Sequence, residues 1–232
     1  AEFIYDNLMI QNNLINCAYR NNVKKLLFLG SSCIYPKNCN QPIREEYLLN
    51  GKLEKTNEAY ALAKITGVKL CEALNNQYKM NYFSLMPTNL YGLNDNYDEN
   101  NSHVLPALIK KIHNAKINSE NFITIWGTGK PRREFLFVDD LADACLYFME
   151  LGITSGIYNI GTGKDMSILE LAKLIMDIVD YRCDIKFDKS KPDGTFQKVL
   201  DVSKANKLGW YNKTLIRDGI KKTYQNYISK IG

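Results

Sequence analysis

The chain reads as an α/β protein built around a parallel sheet, and two observations predict this. Short apolar runs of strand length alternate with longer stretches of helical period along the 232 residues. The run Lys25-Leu-Leu-Phe-Leu29 is suited to a buried parallel strand. It ends in Gly30-Ser31-Ser32, small residues where a parallel strand's carboxyl end meets a ligand crevice.

The elements follow in order. A helix is expected over Glu2–Asn21, a strand over Lys24–Gly30, a helix over Asn57–Tyr78 and a strand over Asn81–Met86. The second helix draws its apolar or small positions from Ala59, Leu62, Ala63, Thr66, Val68, Leu70 and Leu74. A polar loop runs to Ser102, and its most polar part, Asn94–Asn101, reads as mobile. A helix over His103–Lys116 and a strand over Asn121–Trp126 come next. Further helices are expected at Asp139–Glu150, Ser167–Asp180 and Thr214–Ser229, with short strands at Glu134–Phe137, Ile157–Ile160 and Asp184–Phe187. There is no internal repeat and no low-complexity tract.

Composition bounds the function. A 45% hydrophobic and 24% charged chain is ordinary for a soluble globular protein of one domain or a little more. The net charge of +5 comes from dispersed lysines with no nucleic-acid motif beside them, so no nucleic-acid partner is expected. No apolar run is long enough to span a membrane, and no membrane partner is expected. The six cysteines form no Cys-x-x-Cys and no zinc spacing, so no metal site is expected and the cytoplasm is the expected compartment. Cys17, Cys71 and Cys145 fall in apolar helical patterns and read as packed thiols.

Chemistry enters with Tyr60-Ala-Leu-Ala-Lys64. Residues i and i+4 share a helix face, so the phenol and the ammonium point the same way. A free tyrosine titrates near pH 10, with a pKa of about 10, and a fixed positive charge lowers that value. Such a pair can donate a proton to a carbonyl oxygen as hydride reaches the carbon. Taken alone the spacing also fits any surface helix. Ser31, at the end of the preceding strand, supplies a hydroxyl that can bond the same carbonyl.

Ser31, Tyr60 and Lys64 in this order resemble the extended short-chain dehydrogenase/reductase family. The resemblance narrows with Leu29-Gly-Ser-Ser-Cys-Ile-Tyr-Pro36, Thr56-Asn-Glu-Ala-Tyr-Ala-Leu-Ala-Lys-Ile-Thr-Gly67 and Met86-Pro-Thr-Asn-Leu-Tyr-Gly92. It continues through Asn101-Ser-His-Val-Leu-Pro106, Trp126-Gly-Thr-Gly129, Arg133-Glu-Phe-Leu-Phe-Val-Asp-Asp140 and Lys191-Pro-Asp-Gly194. Together these are similar to the GDP-L-fucose synthase family and cover nearly the whole chain.

The resemblance implies the carboxyl half of a Rossmann-like NADP-binding domain over 1–101. Residues 102–232 would be mainly a smaller α/β substrate-binding part, with segments returning to the first. It implies 3,5-epimerisation and NADPH-dependent 4-reduction of GDP-4-keto-6-deoxy-D-mannose. Tyr60 is the implied proton donor, Lys64 its partner and a ribose contact, and Ser31 the carbonyl-orienting hydroxyl. Cys33 and His103 are the implied base and acid of epimerisation; the bland readings are a packed thiol and a helix-start residue. NADP(H) would be lined by Leu29, Gly30, Ser31, Ser32, Tyr60, Lys64, Pro87, Thr88, Asn89, Leu90 and His103. Lys111, Trp126, Arg133 and Asp193 would bind substrate. Lys111 departs from the family's usual arginine and lacks its bidentate fork. His113 matches no motif and reads as a surface residue. A homodimer through the helices Glu2–Asn21 and Asn57–Tyr78 is also implied.

No glycine-rich turn after a strand precedes Lys24, so the first βαβαβ unit of the family is expected to be missing and the chain is read as a fragment, inactive by itself. Gly127-Thr-Gly129 and Gly161-Thr-Gly163 lack the spacing of a phosphate-binding turn. Two alternatives stay open: another sugar-nucleotide epimerase or reductase of the extended type, and a non-catalytic remnant.

Overall fold

The computed structural model describes residues 1–98 and 102–231. The stretch 99–101, part of the polar loop expected at 94–101, lies outside the described residues. The chain divides into two compact units, each assembled from three stretches. Unit 1 takes Ala1–Thr88, Leu141–Gly163 and Val199–Asn212; unit 2 takes Asn89–Asp140, Lys164–Lys198 and Lys213–Gly232.

Unit 1 is a three-stranded parallel sheet in the order β1-β2-β6, formed by β1 (Lys25–Leu29), β2 (Asn81–Pro87) and β6 (Ile157–Ile160). The central strand β2 is buried from Tyr82 to Pro87, as a strand covered on both faces must be. Helices α1 (Glu2–Arg20) and α2 (Glu58–Tyr78) belong to this unit. α2 ends where Lys79 takes the left-handed conformation and donates its amide to the Asn75 carbonyl. The Asn75 side chain then bonds both backbone groups of Tyr82, which fixes the entry into β2. Ile15, Phe28, Val68, Leu74 and Tyr82 are among the core residues. Four packing expectations fail, the exposed Ala59 of α2 among them. Leu62 is 44% exposed, because the helix buries the Ala61, Ala63, Ile65 and Val68 side instead. Thr66 is exposed on the same outer side. Cys17 is exposed rather than packed, while Cys71 is buried and Cys145 half-buried.

Unit 2 holds a mixed sheet of β3 (Asn89–Tyr91), β5 (Arg132–Phe137), β7 (Asp165–Ser167) and β9 (Gln197–Lys198). A separate parallel pair joins β4 (Phe122–Trp126) to β8 (Asp184–Asp188). Helices α3 (Val104–Ile117), α5 (Ile168–Val179) and α7 (Ile216–Ile231) supply most of its core, with Ile109, Ile112, Leu171, Ile175 and Ile220 fully buried. α5 opens on a capping box in which Ser167 and Glu170 satisfy each other's backbone amides. His113 is not a bare surface residue: it is half-buried, bonded to the Tyr224 hydroxyl at 3.1 Å and set edge-on to Tyr227. The helix α4 (Val138–Glu150) begins in unit 2 and ends in unit 1, and the short α6 (Ser203–Lys207) lies in unit 1. Among the described residues no helix is long and apolar enough to cross a membrane.

Candidate active site

In unit 1 the end of β1 and one face of α2 bring four of the expected residues together. Ser31 follows the strand in extended conformation and its Oγ accepts the Cys33 amide at 3.1 Å, capping a short 3₁₀ turn over Ser32–Ile34. That turn presents the Cys33 thiol, half-exposed, while Ser32 is buried at 3% exposure. The Ser31 side chain also bonds the Tyr60 hydroxyl. Lys64, one turn further along α2, donates to the Leu29 carbonyl at 3.0 Å and stands over the rings of Phe28 and Tyr60. Lys64 is thereby tied to the strand end that carries Ser31.

The electrostatics differ from the expectation that Lys64 lowers the phenol. Burial raises the Tyr60 pKa above its ordinary 10.0, the Cys33 thiol adds to the rise, and the Ser31 hydrogen bond opposes it. Burial also lowers Lys64 from 10.5. Tyr60 is therefore a protonated phenol at neutral pH, the form a proton donor requires.

The remaining strand-end residues fall into two groups. Pro87 and Thr88 close β2 in unit 1, where both are buried and the Thr88 amide donates to the Ile160 carbonyl. Asn89 and Leu90 open β3 in unit 2, and the Asn89 amide group donates to the Glu134 carbonyl at 2.8 Å. Gly30 packs so closely on β2 that a Cβ would collide with the Met86 side chain.

Unit 2 contains a cavity of about 340 Å³ lined by His103, Lys111, Trp126, Arg133 and Asp193. These are the expected substrate residues together with the expected acid. His103 is the N-cap residue of α3, and Lys111 lies farther along the same helix. Lys111 donates to the Thr124 carbonyl and stands 5.6 Å from the Trp126 ring, and Lys191 stands 5.4 Å from that ring. Trp126 is 59% exposed, so the indole is a surface of the cavity rather than a core aromatic. Arg133 donates to its neighbour's carbonyl, and burial lowers its pKa. Asp193 is held below the ordinary 3.8 by the Thr128 amide and hydroxyl, then by Arg133 and Lys130. Pro131 and Pro192 also line the cavity. Thr128, which holds Asp193, is a residue the sequence reading misses; the flanking Gly127 and Gly129, both at positive φ, are its nearest signal.

The unit 1 cluster fits a nicotinamide nucleotide by the chemistry of its donors. Ser31, Tyr60 and Lys64 offer two hydroxyls and an ammonium beside Leu29, an apolar residue 39% exposed at a strand's carboxyl end. Hydroxyls and an ammonium suit ribose and carboxamide oxygens, and the apolar edge suits a ring.

Residues 1–161 match the model of the NAD dependent epimerase/dehydratase family. GDP-L-fucose synthase of Escherichia coli K12 is 50% identical over 238 residues, covering 98% of this chain and 74% of that protein. A GDP-6-OMe-4-keto-L-xylo-heptose reductase from C. jejuni superposes with TM-score 0.92 at 40% identity, over 99% of this chain and 77% of that one. A GDP-L-fucose synthetase from Naegleria fowleri bound to NADP gives TM-score 0.91 at 31% identity, over 99% and 74%. The strand-end cluster, the cavity and these relatives agree: the chain belongs to the NAD dependent epimerase/dehydratase family and, within it, to the GDP-L-fucose synthase family.

Proposed function

We propose that these residues, in an enzyme that also carries the family's glycine-turn unit, catalyse NADPH-dependent conversion of GDP-4-keto-6-deoxy-D-mannose to GDP-L-fucose, with inversion at C3 and C5 followed by reduction at C4, and that the chain by itself is inactive. The observation that carries this reading is the Cys33 thiol beside the Ser31–Tyr60 pair, close enough to perturb the phenol. A proton-donating tyrosine alone serves simple reduction; a base next to it adds proton abstraction α to the ketone.

In this reading Cys33 removes the proton from the carbon beside the C4 ketone, whose oxygen takes up the negative charge. His103 delivers a proton to the opposite face. Ser31 bonds the ketone oxygen, and Tyr60 donates its proton to that oxygen during reduction, the Ser31 hydrogen bond favouring the phenolate that remains while Lys64 ties α2 to the Leu29 carbonyl. Bound NADPH supplies the hydride. Leu29, Gly30, Ser32, Pro87, Thr88, Asn89 and Leu90 are assigned to the cofactor. Lys111 and Arg133 are assigned to the diphosphate, Trp126 to the base or sugar, and Asp193 to sugar hydroxyls.

The dimer is assigned to α1 and α2. Phe3, Ile10 and Leu14 are each more than 60% exposed on α1, and Leu62 is exposed on α2. All six cysteines are free, which supports a cytoplasmic protein.

The second reading is another reductase of GDP-linked keto sugars, favoured by the resemblance to the heptose reductase. One experiment separates the two. The chain, joined to the family's glycine-turn unit, is incubated with GDP-4-keto-6-deoxymannose and NADPH in deuterated water. GDP-L-fucose carrying deuterium at C3 and C5 supports the first; a reduced product of unchanged configuration without deuterium overturns it in favour of the second.

A further inference from the structure

The cavity of unit 2 has one wall whose position depends on a residue outside the assigned set. β4 and β8 run parallel with Trp126 opposite Asp188, and the chain leaves both strands at the same end. Gly127 donates to the Asp188 carbonyl at 2.9 Å. The loop after β8 folds over itself, with Ser190 donating its amide and hydroxyl to the Asp188 carboxylate. It then brings Asp193 back to the turn after β4. There the Thr128 amide donates to Asp193 Oδ1 at 2.7 Å and the Thr128 hydroxyl to Oδ2 at 2.8 Å.

The turn is shaped to receive that carboxylate. Gly127 and Gly129 both have φ of +71°, a conformation that favours glycine. A Cβ on Gly127 would occupy the place of Asp193 Oδ1. Arg133 adds a contact to the Asp193 carbonyl at 3.5 Å. On the same loop Lys191 stands beside Trp126.

We infer that Thr128 is a positioning residue of the substrate pocket: by holding both Asp193 oxygens it fixes the 188–194 loop as a pocket wall and keeps Lys191 against Trp126. The Thr128 bonds also lower the Asp193 carboxyl below its ordinary 3.8. The inference rests on the reading of this cavity as the GDP-sugar site.

The test compares Thr128→Val, which keeps shape and amide but loses the hydroxyl, with Thr128→Ser, which keeps it. GDP binding is measured by calorimetry on this chain, and KM and kcat with GDP-4-keto-6-deoxymannose on the chain joined to the family's glycine-turn unit. Loss of one charge-assisted hydrogen bond predicts about tenfold weaker GDP binding and about tenfold higher KM for Thr128→Val, with kcat within about twofold of the parent. Thr128→Ser keeps the parent's values. Asp193→Ala combined with Thr128→Val is no weaker than Asp193→Ala alone. Parent-like GDP affinity in Thr128→Val, equal losses in both Thr128 variants, or additive losses in the double variant overturn the positioning role alone. A parent protein that fails to bind GDP overturns the pocket reading itself, and the positioning role with it.

Discussion

The Tyr35 hydroxyl donates to Asn159 Oδ1 at 2.6 Å, joining the segment just after Cys33 to the centre of β6. Both residues are buried, at 4% and 0% exposure. Asn159 is saturated by further bonds: its amide group donates to the Ile43 and Asp201 carbonyls, and its backbone amide to Glu45. The loop that presents the thiol is thus anchored by a polar network with few alternatives.

Tyr35→Phe leaves Asn159 Oδ1 without its donor in a dry interior. The expected loss of stability is about 1–3 kcal/mol. Urea denaturation checks it; an unchanged midpoint would show that the network closes without this bond.

Tyr60→Phe removes the proposed proton donor and leaves the ring packing against Phe3 intact. Reduction should fall by about 10²–10⁴ while NADPH affinity stays within about twofold. Because the phenol is raised above 10.0, the parent's loss of the protonated donor lies on the alkaline side of pH 10. A variant retaining more than about half of the turnover contradicts general-acid catalysis by this residue.

Cys33→Ser and His103→Asn should impair epimerisation more than reduction of an already epimerised keto sugar. Deuterium uptake from solvent at C3 and C5 is the readout. Parent-like exchange at both carbons in both variants removes the base and acid assignments.

Lys111→Ala should weaken GDP binding by about tenfold, the size expected for one charged contact to a diphosphate, while Lys111→Arg should equal or exceed the parent. Undiminished binding by the alanine variant would place the diphosphate elsewhere.

Stability should fall in alkali. Burial raises the Cys71 thiol from 9.0 to about 12 and the Tyr97 phenol from 10.0 to about 12, and it also raises Tyr35 and Tyr91. The folded chain keeps protons that the unfolded chain releases, so this stabilisation is complete below the unfolded values and is lost as pH rises through the folded ones. Urea midpoints should stay level from neutrality to about pH 9 and decline beyond it. A midpoint that rises between those limits and strong alkali would contradict the sign.

Much of this architecture was legible because its elements have long, regular patterns. β1, β2, β6 and the helices α1, α2, α3 and α5 lie within a residue or two of their expected limits. Asn89–Tyr91, Asp165–Ser167 and Gln197–Lys198 were not expected as strands. They are two or three residues long and owe their conformation to partners distant in sequence, as when Arg132 pairs with both Ser167 and Gln197. In the site, the i,i+4 pair Tyr60–Lys64 and the strand-end Ser31 could be read directly. The direction of the Tyr60 shift could not, because burial rather than the nearby ammonium dominates it and burial is a property of the packed chain. Thr128 is hidden for a similar reason: Gly127-Thr-Gly129 reads in sequence only as an incomplete phosphate turn, and its partner Asp193 lies 65 residues away.

The interleaving of the two units bears on how the protein emerges from the ribosome. Unit 1 draws its last stretch from Val199–Asn212, and Ile43 bridges to Leu200 beside the Asn159 network. The cluster around Ser31 and Tyr60 is therefore translated before Val199–Asn212, and its supporting shell is completed only when that stretch has left the exit tunnel. Until Leu200 has emerged Ile43 lacks its bridge, and the nascent chain exposes apolar surface that the folded unit buries.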